Sequence, residues 1–180
     1  MKNGLDSPRF RLGTGHLVMN NDDELLISGG NNRSESFYNT SQLIGINTSG
    51  IFQSFPVSRH CNIRINESHY LVTGGKVPCP SCGPTGSIKV TKLTYICQTN
   101  FGKCLPGPPL NRPRRAHGCS QVWINGSQYF YLYVTGGYVG IDPRTNFSAS
   151  AEVEVLHDVK EWVIGIILKV GLCLRFLEKI

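Results

Sequence analysis

The stretch Tyr131-Leu132-Tyr133-Val134-Thr135-Gly136-Gly137-Tyr138 decides the fold class, because an apolar run ends in a hydroxyl residue and two glycines. Two earlier stretches have the same form, Tyr70-Leu71-Val72-Thr73-Gly74-Gly75 and Leu25-Leu26-Ile27-Ser28-Gly29-Gly30. A glycine pair lets the chain adopt positive φ and pass close to a neighbouring backbone. Three copies, roughly 50 residues apart, therefore predict a repeat of β-strand units in the size range of propeller blades.

Each glycine pair is preceded by an entry stretch that is basic or contains proline and that ends in a histidine. These histidines are His16, His60 and His117, and we expect them to take equivalent structural places where the units begin. A metal site shared by all three is the weaker alternative, because it requires the units to close tightly around one axis.

The units resemble Kelch repeats, which combine an apolar strand, a glycine pair, a following aromatic residue and a Trp further along. The third unit matches best, through Arg112, Arg115, His117, Gly136, Gly137, Tyr138, Glu152, Val153 and Trp162. The first two units have Asn31 and Lys76 in place of Tyr138, and both lack the Trp. The resemblance spans residues 8–162 and implies an all-β fold of four-stranded antiparallel blades, as in a Kelch-type β-propeller.

The sequence divides into blade-like units at residues 1–55, 56–107 and 108–162, followed by an apolar tail at 163–180. A closed propeller usually has about four to eight blades. We therefore expect an incomplete propeller, which self-associates or belongs to a larger protein. The tail is expected to cap a blade edge or to be the end of a truncated chain, since its apolar run is shorter than the ~20 residues of a membrane span.

The composition supports an all-β chain, with twenty glycines, ten prolines and a charged content of 17%. The net charge of +6 favours acidic partners without specifying one. We interpret the basic run at residues 112–115 as arginines that pair with nearby acidic groups; the alternatives are a patch for an anionic partner and a dibasic processing site. Nucleic-acid binding is not expected, because no aromatic platform is interleaved with these arginines.

Six Asn-x-Ser/Thr sequons indicate a glycoprotein, although Asn and Ser also cluster in turns. The candidate asparagines are Asn32, Asn39, Asn47, Asn66, Asn125 and Asn146. No signal peptide is visible, because residues 1–20 contain several charges and no apolar segment. The sequons and cysteines nevertheless favour an extracellular or secretory-pathway location, with the cytoplasm as the alternative.

Seven cysteines favour disulfide bonds. Cys97 and Cys104 flank a short hairpin loop, which would place their side chains across two strands. Cys61 and Cys119 follow the histidines of adjacent units, so a bridge between units is a second candidate. Cys173 is left over. The alternatives are free thiols and a tetrahedral zinc site formed by Cys79, Cys82, Cys97 and Cys104.

No catalytic constellation is evident, since the chain contains no G-x-S-x-G, no H-E-x-x-H and no phosphate-binding glycine loop. We therefore expect no enzymatic activity and no cofactor. The expected function is the docking of another protein, or of a glycan, on a propeller face, with contact residues that the sequence does not identify. The alternatives are a fragment of a propeller enzyme of the copper-oxidase kind and a purely structural segment.

Overall fold

The computed structural model describes residues 8–19, 22–32, 36–45, 49–53, 56–66, 69–82, 88–98, 103–123, 130–140, 147–157 and 161–166. Over these residues the protein is an all-β fold of small antiparallel sheets, with one short 3-10 turn at Pro80–Cys82. The predicted all-β class is confirmed.

Three four-stranded sheets follow one another along the chain, and in each the strands lie side by side in chain order. The first contains β1 (Gly13–Met19), β2 (Asp22–Ser28), β3 (Thr40–Gly45) and β4 (Ser49–Gln53). The second contains β5 (Cys61–Arg64), β6 (His69–Thr73), β9 (Thr94–Gln98) and β10 (Cys104–Pro106). The third contains β12 (Gly118–Trp123), β13 (Phe130–Thr135), β16 (Glu152–His157) and β17 (Glu161–Ile166). Since β17 continues to Ile166, the start of the predicted tail belongs to this sheet.

Five short strands lie outside the three large sheets. The connection between the second and third strands contains β7 (Lys76–Pro78) and β8 (Ile88–Val90) in the second unit, and β14 (Tyr138–Val139) and β15 (Ser148–Ala149) in the third. The fifth, β11 (Arg114–Arg115), comes just before β12. β7 pairs with β8, and β14 pairs with both β11 and β15. In the first sheet the matching contacts are single bridges from Asn31 to Phe10 and Phe37. The three units therefore share one plan in this connection as well.

The register of the first two strands of each sheet shows which residues are equivalent. The pairs opposite one another at the end of the second strand are Gly13–Ser28, Cys61–Thr73 and Gly118–Thr135. The residues just before these first strands are Leu12, His60 and His117. His16 instead lies inside β1, opposite Leu25, so its predicted equivalence with the other two histidines is wrong. Spacing along the chain does not reveal the register of a hairpin, which depends on strand pairing.

Each glycine pair lies against the segment that begins the next sheet. The amide of Gly30 donates to the carbonyl of Val57 at 2.7 Å, and the amide of Gly75 donates to the carbonyl of Arg114 at 2.7 Å. Backbone bonds thus join the first sheet to the second and the second to the third in the same way. We call the segments before the first strands the entry segments: residues 9–12, 57–60 and 114–117.

The first glycine of each pair has no room for a side chain where two units meet. Gly29 and Gly74 have φ values of +55° and +57°. A Cβ atom on Gly29 would lie 2.3 Å from the carbonyl oxygen of Val57, and one on Gly74 would lie 2.6 Å from that of Arg114. Both the backbone conformation and the space therefore require glycine at these positions.

A histidine of each later entry segment is hydrogen-bonded to the preceding sheet. Nε2 of His60 lies 2.7 Å from Oγ of Ser28, and Nε2 of His117 lies 2.9 Å from Oγ1 of Thr73. Because the Thr73 hydroxyl donates to the carbonyl of Cys61 at 3.3 Å, it accepts from an N–H on Nε2 of His117. Nδ1 of each buried ring has no hydrogen-bond partner among the described residues, which fits a neutral imidazole.

The apolar core is divided between the two interfaces where neighbouring sheets pack. One cluster, between the first and second sheets, contains Leu26, Val57, Tyr70, Val72 and Cys97. The other, between the second and third sheets, contains Ile63, Ile65, Leu71, Leu110, Leu132, Val134 and Leu156. Strand β6 supplies Tyr70 and Val72 to one cluster and Leu71 to the other. Its continuous apolar run therefore reflects a sheet that is covered on both faces.

We predict that Gly74→Ala destabilises the protein far more than Gly136→Ala. Gly74 faces the carbonyl of Arg114, so its substitution combines a steric clash with an unfavourable φ and should cost about 3 kcal/mol. Gly136 has φ +63°, but the nearest atom to its added Cβ is the carbonyl oxygen of Ser150 at 3.4 Å, so only the backbone cost of about 1 kcal/mol applies. Thermal unfolding of both variants measures the difference, and equal losses would contradict the proposed contact between units.

The second prediction concerns pH. Burial, together with the neighbouring His117, lowers the pKa of His60 from 6.5 to about 3. Burial and the nearby Arg114 guanidinium lower the pKa of His117 to about 3 as well, against the opposing effect of Thr73. The unfolded chain therefore binds more protons than the folded chain between these pH values. The stabilising contribution of the two neutral histidines should be fully present above pH 6.5. Below that pH, the free energy of unfolding should decrease as the pH is lowered, by up to about 1.4 kcal/mol per pH unit for each histidine.

Urea unfolding at pH 7 and at pH 5 tests this pH dependence. His117→Gln should remove roughly half of the pH-dependent loss contributed by the two histidines, while leaving the fold intact through an amide that can still reach the Thr73 hydroxyl. His69→Gln, which changes the first residue of β6, is the matched control for replacing one histidine by glutamine. An unaltered slope in His117→Gln would show that this histidine is not buried in its neutral form.

Candidate functional site

The connections between the second and third strands are where the three units differ most, although they occupy equivalent positions. Their described residues are 31–32, 36–39, 76–82, 88–93, 138–140 and 147–151. We call the surface that they form the connection face. The four-stranded sheets below them are nearly alike in pairing, so a site that distinguishes this protein is best sought on the connection face.

In the first unit, a buried arginine supports the connection. The guanidinium of Arg9 donates from Nη1 to the carbonyls of Gly29 and Thr40, each at 3.1 Å. Its Cζ atom lies 4.6 Å from the ring centroid of Tyr38, and the Tyr38 hydroxyl donates to the carbonyl of Pro8 at 3.0 Å. These bonds fix the ends of the connection to the entry segment.

Arg114 takes the place of Arg9 in the third unit and makes a buried ion pair. Its Nη1 donates to the carbonyl of Gly136 at 2.9 Å, and its Nε and Nη2 donate to Oε1 of Glu154. Oε2 of Glu154 accepts from the amide of Asn111 at 2.6 Å. Both charged side chains are fully buried, so removing one partner would leave the other charge uncompensated.

The basic run at residues 112–115 is thus paired with acidic groups, as the sequence indicated. Nη1 of Arg112 lies 3.1 Å from Oε1 of Glu152, and Arg114 binds Glu154. Arg114 and Arg115 are buried, so a processing protease would have to unfold this segment to cleave it. The folded chain therefore does not present residues 112–115 as an accessible dibasic site.

A cleft opens on the connection face of the third unit. It has a volume of about 330 Å³ and is lined by Arg112, Pro113, Val139, Gly140, Phe147 and Ser148. Phe147 is 44% exposed and Tyr138 beside it is 40% exposed. Their rings meet edge to face, with centroids 5.4 Å apart, and the Arg115 guanidinium lies 4.7 Å from the Phe147 centroid. The cleft thus combines an exposed aromatic wall with the half-exposed cation of Arg112.

Sequence reasoning found part of this cleft and missed the rest. Tyr138 was singled out because it follows a glycine pair, and Arg112 because it lies in the basic run. Phe147 was missed, since in sequence it is only the middle residue of a sequon. Arg115, which stacks against it, has a small equivalent in the second unit, Ser58. Phe147 and Arg115 come together only through the pairing of the short strands. Their contact could therefore be recognised only once the strand register was known.

Disulfide bonds, which the cysteine content predicted, are present. They join Cys61 to Cys119, Cys97 to Cys104 and Cys79 to Cys82. The first two are the pairs that the sequence analysis named, and they lie between the second and third sheets and between β9 and β10. The zinc alternative is wrong for this structure, because its four cysteines are bonded to one another in two separate pairs. Cys173 lies outside the described residues.

Three of the six sequon asparagines lie in the described part of the chain. Asn39 and Asn66 are exposed, and Asn32 is half-buried. Oδ1 of Asn32 accepts from the amide of Ser36 at 2.9 Å, whereas Oδ1 of Asn66 lies 3.1 Å from Nδ1 of His69, the first residue of β6. Glycosylation stays a prediction, with Asn39 and Asn66 the more accessible positions. Asn47, Asn125 and Asn146 lie outside the described residues.

Among the described residues, no group of three or more His, Cys, Asp or Glu side chains converges to hold a metal ion. The same residues contain no helix long and apolar enough to cross a membrane. Trp162 is placed in β17 opposite Leu156.

Comparison with known proteins identifies a solved structure of similar fold but no family. No family model matches the sequence, and no curated protein matches it. The fold is similar to a chain in the cryo-EM structure of RAG in complex with one melted RSS and one unmelted RSS, with a TM-score of 0.65 and 13% sequence identity. The match covers 89% of this chain and 52% of the solved chain, so this chain spans about half the length of its relative. At that identity the similarity shows the fold alone.

Proposed function

We propose that this chain is a non-catalytic binding module, built from three Kelch-type propeller blades, that docks a protein or a glycan on its connection face. The observation that carries the proposal is the contact between units, which is made twice with the same parts. A glycine pair, a Ser or Thr hydroxyl and the next entry histidine meet between the first and second sheets, and again between the second and third.

This repeated contact supports a blade-like arrangement, because the same hydrogen bonds join the first sheet to the second and the second to the third. The entry segments are also linked to each other, since the Arg59 amide donates to the carbonyl of Arg11 at 2.7 Å and the Ala116 amide to that of Arg59 at 2.8 Å. These three residues all have positive φ, between 51° and 55°. These bonds place the three entry segments, and the first strands that follow them, side by side. That is the arrangement expected around the axis of a propeller.

The third sheet supports the proposal that the blade set is incomplete. Its Gly137 amide and Thr135 hydroxyl are equivalent to the groups that bind the next entry segment in the earlier units. Among the residues that the structure describes, neither has a partner of that kind. We propose that a further blade occupies this face in the intact protein or assembly.

The cleft on the third unit is the binding surface that the geometry favours. Exposed aromatic rings beside an arginine are typical of residues that dominate protein interfaces, and aromatic faces also stack on sugar rings. The cleft is open and shallow, which suits an extended peptide or a glycan better than an enclosed small molecule. Three disulfides are compatible with an extracellular location, where such binding modules operate.

Selection against two defined libraries tests the binding proposal. Displayed random peptides and an array of defined glycans are each screened with the purified chain, and the binders are measured against the double variant Tyr138→Ala with Phe147→Ala. We expect the binders to lose about tenfold or more in affinity, the loss typical of aromatic anchors. Leu105→Ala is the control, because Leu105 is an exposed apolar residue on β10, away from the cleft.

The outcomes separate the alternatives. Loss confined to peptide binders assigns a protein partner, and loss confined to glycan binders assigns a carbohydrate. If neither library yields a binder, or if the binders are weakened by Leu105→Ala and not by the double variant, the cleft is not the binding surface. Melting temperatures of the variants must stay close to the parent value, since Tyr138 also contacts Arg115.

A further inference from the structure

The second connection carries a feature that the binding proposal does not use. Its two short strands, β7 and β8, form a separate two-stranded sheet. Beyond β7 the chain makes a 3-10 turn, Pro80–Cys82, in which the amide of Cys82 donates to the carbonyl of Cys79 at 3.0 Å. The turn brings the two cysteines of the Cys79-Pro80-Ser81-Cys82 sequence together as a disulfide.

We propose that the Cys79–Cys82 disulfide is a redox site that exchanges with an external dithiol, whereas the other two disulfides are structural. The site differs from them first in accessibility. Cys82 is exposed, together with Pro80 and Ser81 before it, whereas Cys79 is only 4% exposed. An attacking thiolate can therefore reach Cys82 from solvent, and Cys79 is the sheltered partner.

The two structural disulfides lie within or between the large sheets. Cys97 is fully buried in the cluster between the first and second sheets, and it lies directly opposite Cys104 on the neighbouring strand. Cys61 and Cys119 are both half-buried at the entrance to the second and third sheets. A thiolate must approach along the axis of the S–S bond to break it, and packed strands obstruct that approach.

The second difference is the length of chain that each bond closes. Cys61 and Cys119 are 58 residues apart and Cys97 and Cys104 are 7 apart, whereas Cys79 and Cys82 are separated by 3, the shortest of these spans. The stabilisation that a disulfide gives by restricting the unfolded chain grows with the length of the closed loop. Breaking the Cys79–Cys82 bond therefore costs the fold little, and the reduced form should stay folded.

The exchange involves two electrons and two protons. A thiolate of a dithiol attacks Sγ of Cys82, a mixed disulfide forms, and the Cys79 thiolate leaves with the electron pair of the broken bond. The second thiol of the dithiol then attacks the dithiol's first sulfur, which is bonded to Cys82 in the mixed disulfide, and releases the Cys82 thiolate. Both cysteines take up protons, and the dithiol leaves as a cyclic disulfide.

Ser81 is placed to assist the leaving sulfur. Its Oγ lies 3.7 Å from Sγ of Cys79, within reach of a weak hydrogen bond to a thiolate. Short Cys-x-x-Cys loops commonly hold one cysteine as a stabilised thiolate, which makes it a good leaving group. Ser81 is in this scheme a positioning residue and takes no part in the covalent step.

Graded reduction of the 180-residue chain tests the proposal, with Cys173→Ser as background so that the seventh cysteine cannot start scrambling. The folded protein is incubated with dithiothreitol, quenched with N-ethylmaleimide and mapped by mass spectrometry. Cys79 and Cys82 should become labelled about tenfold or more faster than the other four cysteines. Ser81→Ala should slow this labelling several-fold without changing the labelling of Cys61, Cys97, Cys104 or Cys119.

Reversibility supplies the second readout. On transfer to oxidised dithiothreitol, the reduced protein should re-form the Cys79–Cys82 bond alone, with no mixed pairing. The double variant Cys79→Ser with Cys82→Ser should lose the fast labelling and keep a melting temperature close to that of the background protein. Reduction of all three disulfides together, or a double variant that no longer folds, would overturn the proposal.

Discussion

The fold depends on one contact: a glycine amide of one sheet bonded to an entry-segment carbonyl of the next. Gly30 with Val57 and Gly75 with Arg114 make this bond at the same length. The glycine before each of these allows the two backbones to approach so closely that a Cβ atom would clash. The buried histidine beside each contact then binds the preceding sheet, so that chain direction, sheet spacing and core packing all follow from the same few residues.

The buried ion pair of the third unit is, by contrast, not a general requirement. Arg114 has Arg9 as its equivalent in the first unit but Val57 in the second, where the position joins an apolar cluster. The partner position on the third strand varies likewise, with Glu154 in the third sheet and Tyr95 in the second. A charged pair and a pair of largely apolar side chains thus occupy equivalent positions. This is expected if a buried ion pair contributes about as much to stability as well-packed apolar side chains.

The sequence predicted those features that depend on residue type at a fixed local position. The glycine pairs alone predict positive φ, and Cys97 and Cys104 flank a hairpin closely enough to suggest a disulfide bond between them. Features that depend on strand register were not predictable. Leu12 takes the place of the entry histidine in the first unit, so His16, in the adjoining strand, misled the alignment of the repeats.

The candidate site shows the same division. Phe147 and Tyr138 approach each other because β15 pairs with β14, and the residues between these strands give no periodic signal. The same connection in the second unit holds the Cys79–Cys82 turn instead. Variation is thus concentrated in the connections and not in the four-stranded sheets, and under the proposed blade arrangement the connections form the surface that meets a partner.

Amide hydrogen exchange of the second glycine of each pair tests the central claim most directly. The account predicts that the Gly30 and Gly75 amides exchange slowly, because each is bonded to the next entry segment. It predicts that in the isolated, monomeric chain the Gly137 amide exchanges much faster, because among the described residues no entry-segment carbonyl is bonded to it. Fast exchange at Gly30 and Gly75, or protection at Gly137 equal to theirs, would contradict the account of units held in series by this bond.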